Sequence, residues 1–234
     1  MAPLTSFLAF SQLLALASAQ FFILNCGKLT VQRSDPIVSP GVPSGHVHAV
    51  IGGTAFKRTL SNEEARNAKD TTCISMDKSN YWIPQLYHEN RNGTFTYVPF
   101  EGSMSYPQTT GDYNGGVCPQ SHPVAIFSLF YEFFFTAGRI SAADFNRYVY
   151  AMGDATGYGL HGDFINGWAD QGALERSIAT CTGSQGLQDP NCSLRLGGSL
   201  GSPGNKDPET AAPVEDVGMT GPVAKLPGDN PVTG

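Results

Sequence analysis

With one exception, no apolar run after residue 20 lasts long before glycine or proline stops it. Phe21–Leu24 is followed by Cys26-Gly27, Val47–Ile51 closes at Gly52-Gly53, and Tyr81–Ile83 meets Pro84. The exception is the dense apolar and aromatic run Val124–Thr136. Gly (27) and Pro (16) recur through all 234 residues, which excludes long helices and favours short strands joined by turns. Strands are expected at Phe21–Leu24, Lys28–Gln32, Val47–Ile51 and Tyr148–Met152, with Tyr81–Tyr87 kept to an edge or bulge by Pro84. Gly93 marks a hairpin turn between Tyr81–Tyr87 and Thr94–Pro99. Ser61 and Glu64 fit a capping box opening a short helix, and Gly172–Cys181 reads as another. The expected class is mainly β with a few short helices (α+β): one domain over 20–196 with sandwich-like sheet packing.

Residues 1–19 carry no charged side chain, and the run Phe7–Ala17 ends in Ala17-Ser18-Ala19. This reads as a signal peptide cut before Gln20, too short for a membrane span, and no later run reaches spanning length. The mature chain is therefore expected to be secreted. Asn92-Gly93-Thr94 and Asn191-Cys192-Ser193 fit the N-glycosylation pattern. Five cysteines should pair where disulfides form; Cys181 and Cys192, close in sequence, are the expected local bridge, and one thiol is left over. A net charge of −6 argues against a nucleic-acid partner. Residues 197–234 hold 8 Gly, 6 Pro and no aromatic residue, a composition that predicts a disordered tail.

Three blocks concentrate residues of catalytic type. The first is Asp35-Pro36-Ile37-Val38-Ser39-Pro40-Gly41, then Ser44-Gly45-His46-Val47-His48, where strand alternation puts both imidazoles on one side, giving a two-point metal site or acid–base pair, or two ordinary histidines on a sheet face. Pro119 and Pro123 flank His122, which suits a ligand, a general base or a structural turn. The stretch 153–168 packs five glycines with Asp154, Tyr158, His161, Asp163, Asn166 and Trp168. It contains a G-x-G-x-x-G pattern, but Asn166-Gly167 breaks any following helix and no βαβ unit surrounds it. The combined reading is a metal centre for one divalent ion at His46, His48 and His161. His122 would lie nearby, Asp163 would orient or ligate, and Tyr158 would serve as an acid. Trp82, Trp168 and the tyrosines are either core or a saccharide-stacking surface. Glu132, inside an apolar run, needs a partner or carries a raised pKa.

The same blocks resemble a fungal secreted family called domain of unknown function number nineteen ninety-six. The stretches carrying the resemblance are DPIVSPGVPSGHVHAVIGG at 35–53, DKSNYWIPQLY at 77–87, GGVCPQSHPV at 115–124 and GDATGYGLHGDFINGW at 153–168. Ala155 stands where the family has proline. Gly102-Ser103-Met104 runs straight into Ser105-Tyr106-Pro107, so the resemblance implies that an internal segment near Met104 is missing, and the leftover cysteine agrees with that loss. It also implies an extracellular setting at the fungal cell wall or plant polysaccharide, without supplying a reaction. Two expectations stand: a wall- or polysaccharide-associated protein, or a metal-assisted lyase or hydrolase built on the histidines.

Overall fold

The computed structural model describes residues 21–74, 76–107, 119–121, 129–136, 145–181, 187–198 and 200–234. In chain order the strands are β1 (Phe21–Cys26), β2 (Lys28–Gln32), β3 (His48–Gly52), β4 (Asn80–Pro84), β5 (Leu86–Asn90), β6 (Phe95–Tyr97), β7 (Phe100–Pro107), β8 (Phe130–Phe135), β9 (Phe145–Tyr150) and β10 (Asp163–Ile165). The helices are α1 (Asn62–Arg66), α2 (Gln171–Thr180) and α3 (Ser193–Leu196). All pairings between these strands are antiparallel and make three sheets, ordered β1-β7-β8, β10-β4-β3-β2 and β6-β5-β9. The protein is mainly β with short helices, and the first two sheets pack face to face.

Alternation along the strands builds that sandwich. Ala49, Ile51, Tyr81 and Ile83 face the first sheet and join Phe22, Leu24, Met104 and Tyr106 in the main core. The contact is close: a Cβ on Gly102 would lie 2.9 Å from Ile51 Cδ1. Val50 and Trp82 point the other way into a second core with Leu29, Phe56, Leu60, Ala65 and Ile165. The four-stranded sheet is thus covered on both faces over part of its area. Helix α1 supplies Ala65 to the second core and starts on the expected capping box, with Ser61 Oγ accepting from Glu64 N and Glu64 Oε2 accepting from Ser61 N.

Pro84 is the last residue of β4, an interior strand, at a point already beyond the end of β10. The chain then enters the third sheet through buried Gln85, whose N–H donates to Val47 O and whose side-chain amide donates to Leu86 O and Val98 O. The expected single strand is therefore two strands joined by one buried residue. Gly93, at φ +82°, turns the β5–β6 hairpin. The junction Met104–Ser105 lies inside the continuous strand β7, paired with β1 on one side and β8 on the other.

A buried polar knot ties the core together. Asp77 is fully buried, and burial holds its carboxyl above the usual carboxylate range despite the hydrogen bonds it accepts. It accepts from Tyr81 Oη at 2.6 Å, Tyr106 Oη at 2.9 Å and Ser79 N at 2.9 Å. Trp168 Nε1 donates to Tyr106 Oη at 3.1 Å. Trp82 and Trp168 are both buried, so neither offers a stacking surface. Two disulfides, Cys26–Cys73 and Cys181–Cys192, tie loops to this body. Cys118 lies outside the described residues, as do the expected signal peptide and the first part of the Val124–Thr136 run.

The expected disordered tail is corrected by the structure, because residues 200–234 lie along the body. Val223 and Phe95 exchange two backbone hydrogen bonds, Thr233 N donates to Gly153 O, and Glu209 N donates to Thr54 O. Val217 and Leu226 are buried, and Tyr87 Oη donates to Val217 O. The average composition hides this because the segment uses its few apolar side chains at separate prepared positions and makes its backbone bonds singly, outside long ladders. Leu226→Ala is expected to lower the unfolding free energy by about 2–4 kcal/mol in urea titration, as for a core leucine. A change under about 0.5 kcal/mol, the range of surface substitutions, would show the segment undocked.

Candidate metal centre

The histidines meet at one end of the face of the four-stranded sheet that points away from the first sheet. His48 opens β3 and is paired across the ladders with Gln32 on β2 and Pro84 on β4. His46, two residues earlier, stays on the same side, and the two ring centroids are 4.4 Å apart. The loop after β2 folds back over them. Ser44 N donates to Arg33 O, and Ser44 Oγ donates to His46 O at 2.6 Å. Asp35, buried, accepts from Ile37 N and Val38 N through Oδ1.

His161 arrives from the loop between β9 and β10. Asp154 organises that loop by accepting from Thr156 N, Thr156 Oγ1, Gly157 N and Gly159 N. These bonds hold its carboxyl below the usual range, the Thr156 hydroxyl contributing most. Gly157, at φ +82°, makes the turn that an L side chain would strain. The His161 ring then lies 5.2 Å from His46 and 6.3 Å from His48 by centroid. One ligand nitrogen from each of the three histidines falls within 4.8 Å of the others.

The free nitrogens can be assigned. His48 Nδ1 is 3.0 Å from Ser34 O, and His161 Nδ1 is 2.8 Å from Gly159 O. Each carbonyl can only accept, so Nδ1 carries the proton in the neutral ring and Nε2 keeps its lone pair. Nε2 of His46 and of His48 is buried without a hydrogen-bond partner. Burial pushes the pKa of His46 from 6.5 down to about 4, helped by the charge on His161 and opposed by Asp35. Burial pushes His48 down to about 3, helped by His46 and His161 and opposed by Asp35 and the Ser34 carbonyl. Near neutral pH both rings are uncharged, the form in which imidazole binds a metal.

The other residues singled out in the sequence are placed differently. Asp163 is half-buried at the start of β10, opposite Trp82, and is not one of the three clustered ligands. Burial and then the Asp35 charge raise its pKa, and His161 counters them. Tyr158 is 95% exposed, so its hydroxyl faces solvent. His122 lies outside the described residues. Asn92 and Asn191 sit exposed in turns. Glu132 accepts from Ser103 Oγ at 3.1 Å. Sequence reasoning placed Asp35 in the first block without giving it a role, and it missed Ser34 as a support of the histidines. The sequence signal was adjacency: both lie just beyond Gln32, the residue that pairs with His48.

The pattern of the family described as Domain of unknown function (DUF1996) matches residues 35–104 and 100–168. The chain belongs to this family. The matched residues contain all three clustered histidines, and the two matched pieces meet inside β7. No curated protein and no solved structure matches the chain. Among the described residues, no helix is long and apolar enough to cross a membrane.

The depressed histidines fix a pH dependence for the metal-free protein. Between their folded pKa values of about 4 and about 3 and the ordinary 6.5, the unfolded chain binds more protons than the folded one. Stability is therefore full above pH 6.5 and falls as the pH drops toward 4. Thermal melts across this range should show that fall, and His46→Gln with His48→Gln should flatten it. Equal slopes in the two proteins would show that the rings are not neutral and buried.

Proposed function

We propose that this is a secreted metal-dependent protein acting on polysaccharide, with His46, His48 and His161 holding one divalent transition-metal ion. The observation that supports it is the convergence of three imidazole nitrogens, with the Nε2 atoms of buried His48 and half-buried His46 both buried and orphaned. A buried polar atom without a partner costs free energy, and a cation is the partner that neutral imidazoles accept. Imidazole ligands suit zinc, copper, iron or nickel better than calcium or magnesium. Three protein ligands leave a position open, the pattern of catalytic rather than structural sites. A bound cation there would supply Lewis-acid polarisation or an activated water.

The chain's own residues do the rest. The Ser34 and Gly159 carbonyls hold the tautomers of His48 and His161. Asp35, whose carboxylate is kept in place by two backbone N–H groups, offsets positive charge at the centre. Asp163, two residues after His161 and with its carboxyl raised above the usual range by burial and then by Asp35, is the acid assigned to moving a proton. The secreted setting rests on the leader-like residues 1–19, the two disulfides and the sequon turns at Asn92 and Asn191. Wall or polysaccharide association rests on the family resemblance alone.

Chelator-treated protein should take up one zinc or copper ion per chain in equilibrium dialysis. At about a hundredfold excess over Kd, the ion should stabilise the fold by about 2.7 kcal/mol. His46→Ala with His48→Ala should abolish both effects. Release of soluble sugar from insoluble glucan, chitin or polyuronate should then depend on the ion. Uptake well below stoichiometric, or uptake unchanged in the double variant, would overturn the metal centre.

A further inference from the structure

A second concave surface lies on the opposite side of the sandwich. On the outer face of the first sheet, the β7–β8 register places Glu101 beside Phe134, and Asn25 of β1 is level with Ser103 of β7. These residues border a cavity of about 560 Å³, completed by Gly27, Gly204 and Asn205. That volume falls within the range of small-molecule sites. Phe134 is 54% exposed there, although its β8 neighbours Phe133 and Phe135 pack against the core. Among the described residues, the Asn25 amide and the Glu101 carboxylate have no hydrogen-bond partner. Asn205 Oδ1 accepts from Lys28 N, which leaves its N–H groups as donors toward the cavity.

We propose that this cavity binds a pyranose unit of a neutral polysaccharide, with Phe134 stacking on the sugar face and Asn25, Glu101 and Asn205 bonding its hydroxyls. The chemistry selects that class. An exposed aromatic ring offers a flat apolar surface, and a sugar presents C–H groups on its faces and hydroxyls at its edge. A carboxylate accepts from hydroxyls, and side-chain amides both donate and accept. No Lys or Arg lines the cavity, so an anionic ligand finds no counter-charge and meets Glu101 instead. One carboxylate is too few for a calcium site, which takes six to eight oxygens.

The floor is preorganised. The Cys26–Cys73 disulfide lies under it, and Gly27 N and Gly204 N both donate to Thr72 O, at 2.9 and 3.1 Å. A Cβ on Gly27 would lie 2.3 Å from the Gly204 carbonyl carbon, so only glycine lets the two backbones meet. A floor ordered before binding spares a ligand the entropy of ordering it. The proposal requires no metal and stands apart from the histidine centre.

Calorimetric titration of the full chain with β-1,3- and β-1,4-linked glucose hexasaccharides and a β-1,4-linked N-acetylglucosamine hexasaccharide tests it, with a galacturonate hexasaccharide as the anionic control. At least one neutral oligosaccharide should bind. Phe134→Ala and Glu101→Ala should each weaken that binding about tenfold, equivalent to 1.4 kcal/mol, and Phe134→Trp should restore it. His46→Ala with His48→Ala should leave it unchanged, which separates this site from the metal centre. Should Phe134→Ala fail to fold, Glu101→Ala and Asn25→Ala, at exposed positions, carry the test. Binding insensitive to these changes, tighter binding of the galacturonate that Phe134→Ala weakens and His46→Ala with His48→Ala does not, or no neutral binding at about 10 mM, weaker than even a millimolar affinity, would overturn it.

Discussion

The register of β3 against β4 is the constraint on which the rest of the structure depends. His48 opposite Pro84, Val50 opposite Trp82 and Ile51 opposite Tyr81 decide which side chains meet the first sheet and which meet the second core. A slip of one residue would turn His48 into the apolar core and Ile51 out of it, because strand side chains alternate with a period of two. The register is held from both sides. Tyr81 is anchored through Asp77 to Tyr106, and Trp82 is packed against Phe56. The histidine centre therefore inherits its position from core packing, to which the bond between His48 Nδ1 and Ser34 O adds a tie from β3 to the end of β2.

Packing fixes the rings but leaves their chemistry unmet. Besides Nε2 of His46 and His48, the Gln32 side-chain oxygen and the Ser34 hydroxyl are buried without partners. Gln32 is the direct cross-strand neighbour of His48, and Ser34 gives its carbonyl to the His48 ring. Four orphaned polar atoms along one short stretch of chain run against the general rule that buried polar groups are satisfied. Such deficits concentrate where a ligand completes the network, and the low local dielectric that makes them costly also strengthens what fills them. Asp35 has the opposite role. Its carboxylate is satisfied by its own loop, so it acts on the histidines through its charge rather than by bonding them.

Local signals were legible in the sequence wherever a short-range rule sufficed. Ser61 with Glu64 announced a helix start, Gly93 a hairpin turn, and the spacing of His46 and His48 a shared side of the chain. The closeness of Cys181 and Cys192 pointed to a local bridge, and the two are joined. Distant juxtapositions left no such trace. Cys26 meets Cys73 across 47 residues because β1 and the segment before β4 happen to lie side by side. For Trp82 and Trp168 the sequence favoured a core over a stacking surface only by the general habit of large aromatics, and their burial decides for the core. Phe134, one aromatic among several in its run, reveals its exposure only once the β7–β8 register is known. The C-terminal segment was misjudged because composition averages over a chain whose few apolar residues each dock separately.

That segment is also part of the candidate centre's support. Asn230 Nδ2 donates to Gly45 O, next to His46, and to Ala151 O at the base of the loop that carries His161. Arg33, at the start of the loop over the histidines, pairs with Glu215 at 2.7 Å. Gly228 presses so close to Gly45 O that a Cβ there would lie 2.6 Å away. The two histidine-bearing loops are thus tied together by a strap that contributes no ligand. A ligand that binds only when His46, His48 and His161 converge must also favour the docked strap, since binding to one state of a linked equilibrium stabilises everything that state requires. The docked segment thereby joins the two histidine-bearing loops through the backbone at Gly45 and Ala151.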